Sequence, residues 1–148
     1  MGRFASIVGM WVDAGDDVTA IREAARWGEI EILQDLLDRG VPVDSCGEDG
    51  VTPLILAASG GNSRIVKMLL ERGADVHVIT HRDRATPLHA LLGWPHQERV
   101  YLAIARVLIA AGVDVSAREN DGMTALDWAK ERRCLQLINL LESALTKD

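Results

Sequence analysis

Four histidines and two cysteines are the side chains best suited to hold a metal or attack a carbonyl, and their spacing supports neither chemistry. Cys46 and Cys134 stand 88 residues apart without a Cys-x-x-Cys pair, which gives no disulfide framework and no zinc site. Nothing beside either thiol supplies the base or cationic setting that a reactive cysteine needs. His77 and His81 are four apart, but they fall in a predicted hairpin, where that spacing does not bring side chains onto one face. Glycine-rich phosphate loops, His-Glu-x-x-His, Gly-x-Ser-x-Gly and calcium-loop spacings are all missing from the sequence. The paired carboxylates Asp16-Asp17 and Glu48-Asp49 suit solvated turns or helix starts. No catalytic residue, metal site or cofactor is therefore assigned, and the chain is not expected to be an enzyme.

Composition narrows the class further. A length of 148 residues fits one domain. Apolar residues make up 48% and charged residues 26%, the balance of a globular chain rather than a disordered one. Sixteen basic against 22 acidic residues leave a net charge of −6, which opposes a phosphate backbone, so nucleic acid is not an expected partner. No apolar run reaches the roughly 18 residues of a membrane span. Gly2, Gly9 and Asp13 interrupt the short apolar stretch at the N-terminus, so no secretory leader is expected, and Gly2 with Ser6 matches only a loose acylation pattern. A soluble protein in a reducing, cytoplasmic compartment follows as the expectation.

The elements that position these residues are set by a repeat. Leu36 to Gly40, LLDRG, recurs as LLERG at Leu69 to Gly73, an offset of 33. The same offset carries Ala24-Ala25 onto Ala57-Ala58 and Thr19 onto Thr52. Thr52-Pro53-Leu54, Thr86-Pro87-Leu88 and Thr124-Ala125-Leu126 form a second anchor, and Gly-x-Asp-Val occurs at Gly73 to Val76 and Gly112 to Val115. Threonine supplies a capping oxygen and proline is pre-organised for a first helical turn. Ile65, Val66, Leu69 and Leu70 make one apolar helical face, and Gly73 stops that helix where a positive φ is required. Four units result, at about 17–46, 47–79, 80–118 and 119–145, preceded by residues 1–16 and followed by a tail at 146–148.

These anchors resemble the ankyrin repeat family, with its Gly-x-Thr-Pro-Leu-His-x-Ala-Ala first helix and second helix closing on Leu-Leu and Gly-Ala-Asp-Val. The resemblance covers about 130 residues. It implies a mainly α solenoid of stacked helix-turn-helix units joined by hairpin loops, binding another protein along hairpin tips and first helices. His89 occupies the family's Thr-Pro-Leu-His slot, which implies a structural hydrogen-bonding role.

Departures from the pattern are expected to mark what is particular to this chain. Unit three carries Arg84 where unit two has Gly50, and Leu91-Leu92 in place of paired alanines. It spaces Thr86 and Gly112 by 26 residues against 21 from Thr52 to Gly73, so five extra residues are expected as a loop around GWPHQERVY, after a helix ended by Pro95. Residues Ser6 to Asp17 echo Arg64 to Asp75, with Phe4, Ile7, Val8, Trp11 and Val12 as an apolar helical face. That segment is expected to dock as an N-terminal capping helix. The last unit resembles a terminal repeat, and two capped ends suit a complete small protein.

The resemblance then implies a partner-binding set. It comprises Arg26 and Trp27 in unit one and Glu48, Asp49 and Val51 in unit two. Unit three contributes His81, Arg82, Trp94 and His96, and unit four Asn120, Met123, Glu131 and Arg132. Trp27 and Trp94 fall where the family exposes polar side chains, which makes them the best anchor candidates, since interface energy concentrates in Trp, Tyr and Arg. Trp128, in the slot of Leu56, and Trp11 are expected to pack inside. The expected function is an adaptor or regulatory binding protein, monomeric when free. An immunity or antitoxin-type inhibitor of an enzyme is one alternative, and a small-molecule receptor with Trp94 over a pocket at the third-unit insertion is another.

Overall fold

The computed structural model describes residues 6–147. Gly2, Phe4 and Asp148 lie outside the described residues. Among those described, every regular element is a helix: α1 (Ile7–Asp13), α2 (Asp17–Trp27), α3 (Ile30–Asp38), α4 (Pro53–Ser59), α5 (Ser63–Glu71), α6 (Pro87–Leu92), α7 (Glu98–Ala110), α8 (Ala125–Glu131) and α9 (Leu135–Thr146). Helices α2, α4, α6 and α8 touch in succession as an inner layer. Each also packs on the helix that follows it, and α5, α7 and α9 form successive contacts in the outer layer. The described residues thus form an all-helical solenoid.

Local chemistry explains where the inner helices begin. The Thr52 and Thr86 hydroxyls accept from the amides of Ile55 and His89, with Pro53 and Pro87 opening the first turn. In α8 the Thr124 hydroxyl accepts from Asp127, whose carboxylate accepts from the Thr124 amide in return. The inner helices then approach across small or fully buried residues: Ala24, Ala25, Ala57, Ala58, Leu91, Leu92 and Ala129 are inaccessible to solvent. Ile65, Val66 and Leu69 of α5 and Ile104, Ala105 and Leu108 of α7 complete the same continuous core.

Helix ends leave carbonyls without partners, and here α2, α4 and α6 are each completed by the next pair. Asn62 Nδ2 donates to the carbonyls of Ala25 and Arg26 at 3.0 and 2.9 Å. His96 Nε2 donates to Ser59 O at 3.0 Å, and Arg132 Nε to Leu92 O at 3.1 Å. Three different side chains do the same work at three successive junctions.

Three expectations need correction. The extra residues of the third pair do not chiefly enlarge a loop, because α7 has 13 residues against nine in α5 while the connector grows only from 60–62 to 93–97. Tyr101, buried on this longer helix, holds that connector by donating to Trp94 O at 2.8 Å and accepting from the His96 amide. On α1 only Val8 and Val12 meet the core, whereas Ile7 is 75% and Trp11 40% exposed. Buried Gly9 lies beside Val8 and turns that side of α1 onto α2. Trp128 is half-buried rather than enclosed, packing on the core while its indole N–H donates to Glu119 at 2.7 Å.

Two arginines adopt left-handed backbone, Arg84 at φ 56° and Arg133 at φ 57°. In the second pair the position matching Arg133 is Gly61, where a Cβ would sit 2.9 Å from the His96 ring of the next pair. Among the described residues no later pair stacks on Arg133, so a side chain fits there and only the backbone is strained.

Two outcomes follow. Asn62→Ala removes both hydrogen bonds to the end of α2 and should lower unfolding free energy in urea by about 1–3 kcal/mol, while the exposed neighbour Arg64→Ala should change it by less than about 0.5 kcal/mol. Arg133→Gly should raise it by about 0.5–1 kcal/mol, the relief of left-handed strain less the entropy of glycine in the unfolded chain.

Candidate functional site

The residues expected to bind a partner divide between two edges of the inner layer. Glu48, Asp49, Val51, His81, Arg82, Asn120 and Met123 lie on the hairpins that precede α4, α6 and α8, whereas Trp27, Trp94, His96 and Arg132 lie at or just beyond inner-helix C-termini. Arg26 and Glu131 sit in the last turns of α2 and α8. A seven-residue inner helix separates the edges by roughly 10 Å.

Along the hairpin edge, neighbouring tips are stapled together. The His81 amide donates to Asp49 O at 2.9 Å and its Nδ1 to Glu48 O at 2.7 Å. Gly50 is what lets the imidazole lie there: it has φ 71°, and a Cβ would meet the ring at 2.6 Å. One hairpin later the Asn120 amide donates to Asp83 O at 2.9 Å, and its side-chain amide to Arg82 O. His81 and Asn120 therefore spend side-chain hydrogen bonds on the scaffold. Asp49 accepts from the Val51 amide at 3.0 Å and pairs with Arg22 at 3.0 Å. Those contacts, the amide first, hold its carboxyl below the usual carboxylate range, so it is anionic at neutral pH. Arg82 and Glu48 are exposed, while Val51 and Met123 are half-buried.

His89 belongs to the scaffold as well. Its buried ring accepts from the Thr86 amide through Nδ1 at 3.2 Å and donates through Nε2 to Met123 O at 2.9 Å, tying α6 to the following hairpin.

At the other edge two indoles stand out from the surface, Trp27 at 68% and Trp94 at 61% exposure. Both are pre-set. Trp27 Nε1 donates to Glu23 at 2.9 Å one turn earlier, and Asn62 fixes the carbonyl of the preceding Arg26. Tyr101 holds Trp94 O. Between them runs the connector of the second pair, Gly60-Gly61, where added Cβ atoms would strike Arg26 O at 2.4 Å and the His96 ring at 2.9 Å. Gly60 and Gly61 themselves add no side chain there, and the Asn62 amide and the His96 ring lie against them. Arg26 pairs loosely with Glu23 at 3.7 Å, Glu131 is exposed, and His96 and Arg132 face inward to the ladder of carbonyls.

Sequence reasoning missed Asn62 and Tyr101, which fix this edge. The available signal was positional: a polar side chain beyond the ends of α4, α6 and α8, at 62, 96 and 132. Clefts of about 260, 290, 330 and 450 Å³ open on the surface, and Trp94 lines none of these four. Among the described residues no group of three His, Cys, Asp or Glu could hold a metal ion. Burial pushes the Cys134 thiol up, away from thiolate chemistry. No described helix is long and apolar enough to cross a membrane.

A family model described as three copies of the ankyrin repeat matches residues 6–80, half of the chain. The chain belongs to the ankyrin repeat family. Ankyrin repeats are protein–protein interaction modules on a non-enzymatic fold. Among curated relatives it is 32% identical over 108 residues to the ankyrin repeat, SAM and basic leucine zipper domain-containing protein 1 of Chlorocebus aethiops, across 73% of this chain and 22% of that one. The protein of the same name from Microcebus murinus is 31% identical over 120 residues, 81% of this chain and 24% of its own. The ankyrin-repeat chain thus matches less than a quarter of the length of these relatives. The family match stops at residue 80, where this ankyrin chain turns to its least regular pair, with Arg84, Leu91-Leu92 and the long α7.

The ladder role of His96 has a direct check. His96→Ala should lower unfolding free energy by about 1–3 kcal/mol through the loss of its bond to Ser59 O and its contact with Gly61, whereas Trp94→Ala should leave the melting temperature within error of the parent.

Proposed function

We propose that this ankyrin-repeat chain is an adaptor or regulatory binding protein whose anchors are Trp27 and Trp94. The observation that carries this reading is the pair of exposed indoles on hydrogen-bonded, rigid backbone, flanking the Gly60-Gly61 strip. A large aromatic on backbone that is already held has less freedom to lose on binding, and such groups dominate interface energies. Glu48, Asp49 and Arg82 on the hairpin edge would form the polar rim, guiding encounter and register more than holding the complex. His81, His96, Asn120 and Arg132 are proposed as supports of this surface rather than as direct contacts, because their side chains are already bonded to neighbouring repeats. The repeat region proposed is 17–145, with α1 as its N-terminal cap. The two free cysteines fit a reducing, cytoplasmic setting, and a monomer is proposed for the free state.

Affinity capture from lysate of the native cells, read by mass spectrometry, tests the reading when parent and variants are compared. Trp27→Ala and Trp94→Ala should each weaken the partner's binding by about 2 kcal/mol or more at unchanged melting temperature. Equal retention of every protein by the double variant would move the interface elsewhere. Assay of the purified partner then separates the two modes of action: an adaptor leaves its activity intact, whereas an immunity-type inhibitor abolishes it at 1:1 stoichiometry.

A further inference from the structure

Arg84 occupies a position that glycine holds in the flanking hairpins, Gly50 at φ 71° and Gly122 at φ 79°, and it adopts the same left-handed backbone at φ 56°. Glycine reaches that conformation freely, whereas an arginine is strained there. The turn fixes it, since the Arg84 amide donates to Thr80 O at 3.0 Å and the Ala85 amide to the Thr80 hydroxyl at 3.0 Å. The free protein gains no ion pair in return: among the described residues no carboxylate lies within salt-bridge distance of Arg84.

Arg84 instead lines a cleft of about 330 Å³ between the hairpin before α6 and the hairpin before α8. Arg118 lines the same cleft from the next repeat. Its Nη1 donates to Gly122 O at 2.7 Å, which orients the guanidinium and leaves its other N–H groups available. Half-buried Ile79 supplies apolar wall over a floor of the buried Val76 and Val113, with the exposed His77 also on the lining. Asp114 is the one acidic residue on the lining, and its Oδ1 is taken by the amide and hydroxyl of Ser116 at 3.0 and 2.7 Å.

We propose that this cleft is a carboxylate-binding site that receives an acidic segment of a protein partner, one carboxylate lying between Arg84 and Arg118. Guanidinium groups favour carboxylates through paired N–H donors. A small free anion would leave half-buried Ile79 unused, while a glutamate followed by an aliphatic side chain can cover it as well. The proposal rests on the reading that the chain binds a protein, and it adds a contact remote from Trp27 and Trp94.

The test is a nuclear magnetic resonance titration of the full ¹⁵N-labelled chain with an acetylated, amidated hexapeptide of glutamate and leucine. Shifts should concentrate at residues 76–86 and 113–118 and be missing with the lysine–leucine counterpart. Arg84→Gly relieves strain and so keeps the fold, yet it should weaken the peptide at least tenfold, as should Arg118→Gln. Arg133→Gly, which removes the other strained arginine, and the Trp27→Ala/Trp94→Ala double variant should bind as the parent does. Because the double variant separates the two surfaces, loss of the tryptophan effect on partner capture would leave this result standing, and the reverse. No binding of the acidic peptide, equal binding of the lysine peptide, unchanged binding to Arg84→Gly, or inorganic phosphate binding as tightly as the peptide would each overturn the assignment.

Discussion

No helix pair in this chain can cover its own apolar face. A face such as Ile65, Val66 and Leu69 is removed from water only when the neighbouring pair is stacked on it, and α4, a seven-residue helix, is almost wholly buried because α2 and α6 flank it. Hydrogen bonding carries the same dependence: the carbonyls that end α2, α4 and α6 are satisfied by Asn62, His96 and Arg132 of the following pair. Stability in such an array is a sum of pair and interface contributions, without a single central nucleus. The surface inherits its rigidity from that stacking, since the same contacts that complete the helices also fix the backbone beneath Trp27 and Trp94.

The third pair bends the pattern without breaking it. Leu91 and Leu92 fill the place of paired alanines and remain fully buried, and the longer α7 brings Tyr101 under the connector that carries Trp94. Its hairpin keeps the left-handed turn that glycine provides elsewhere but loads it with Arg84. One repeat thus presents an aromatic group at one edge of the inner layer and a strained cation at the other.

Much of the fold was legible because several anchors recur in one register, and each anchor has a local physical meaning: a threonine cap, a proline at the first turn, a glycine stop. Periodicity failed on α1 for an identifiable reason. Ile7, Met10 and Trp11 are as apolar as Val8 and Val12, so the sequence offers two faces, and only the fit of Gly9 and Val8 against α2 chooses between them. The length of the third-pair insertion was readable from the Thr86 to Gly112 spacing, whereas its placement in α7 depends on Tyr101 packing, which spacing does not encode. The site was harder. His81, His96, Asn120 and Arg132 are polar, sit at exposed edges and resemble contact residues in sequence. Their partners are backbone carbonyls 33 to 40 residues away, a relation no local window reveals. Trp27 and Trp94 were found because large aromatics in polar slots are conspicuous without any knowledge of their neighbours.

Hydrogen exchange of the free chain, followed peptide by peptide in mass spectrometry, tests the dependence on neighbours most directly. Protection should peak in α4 and α6, which are covered on both sides, and fall toward α1 and α9. Asn62→Ala should lower protection on both sides of the junction it spans, at the end of α2 and at the start of α5. Uniform protection from α1 to α9, or an Asn62→Ala effect confined to its own connector, would contradict the account.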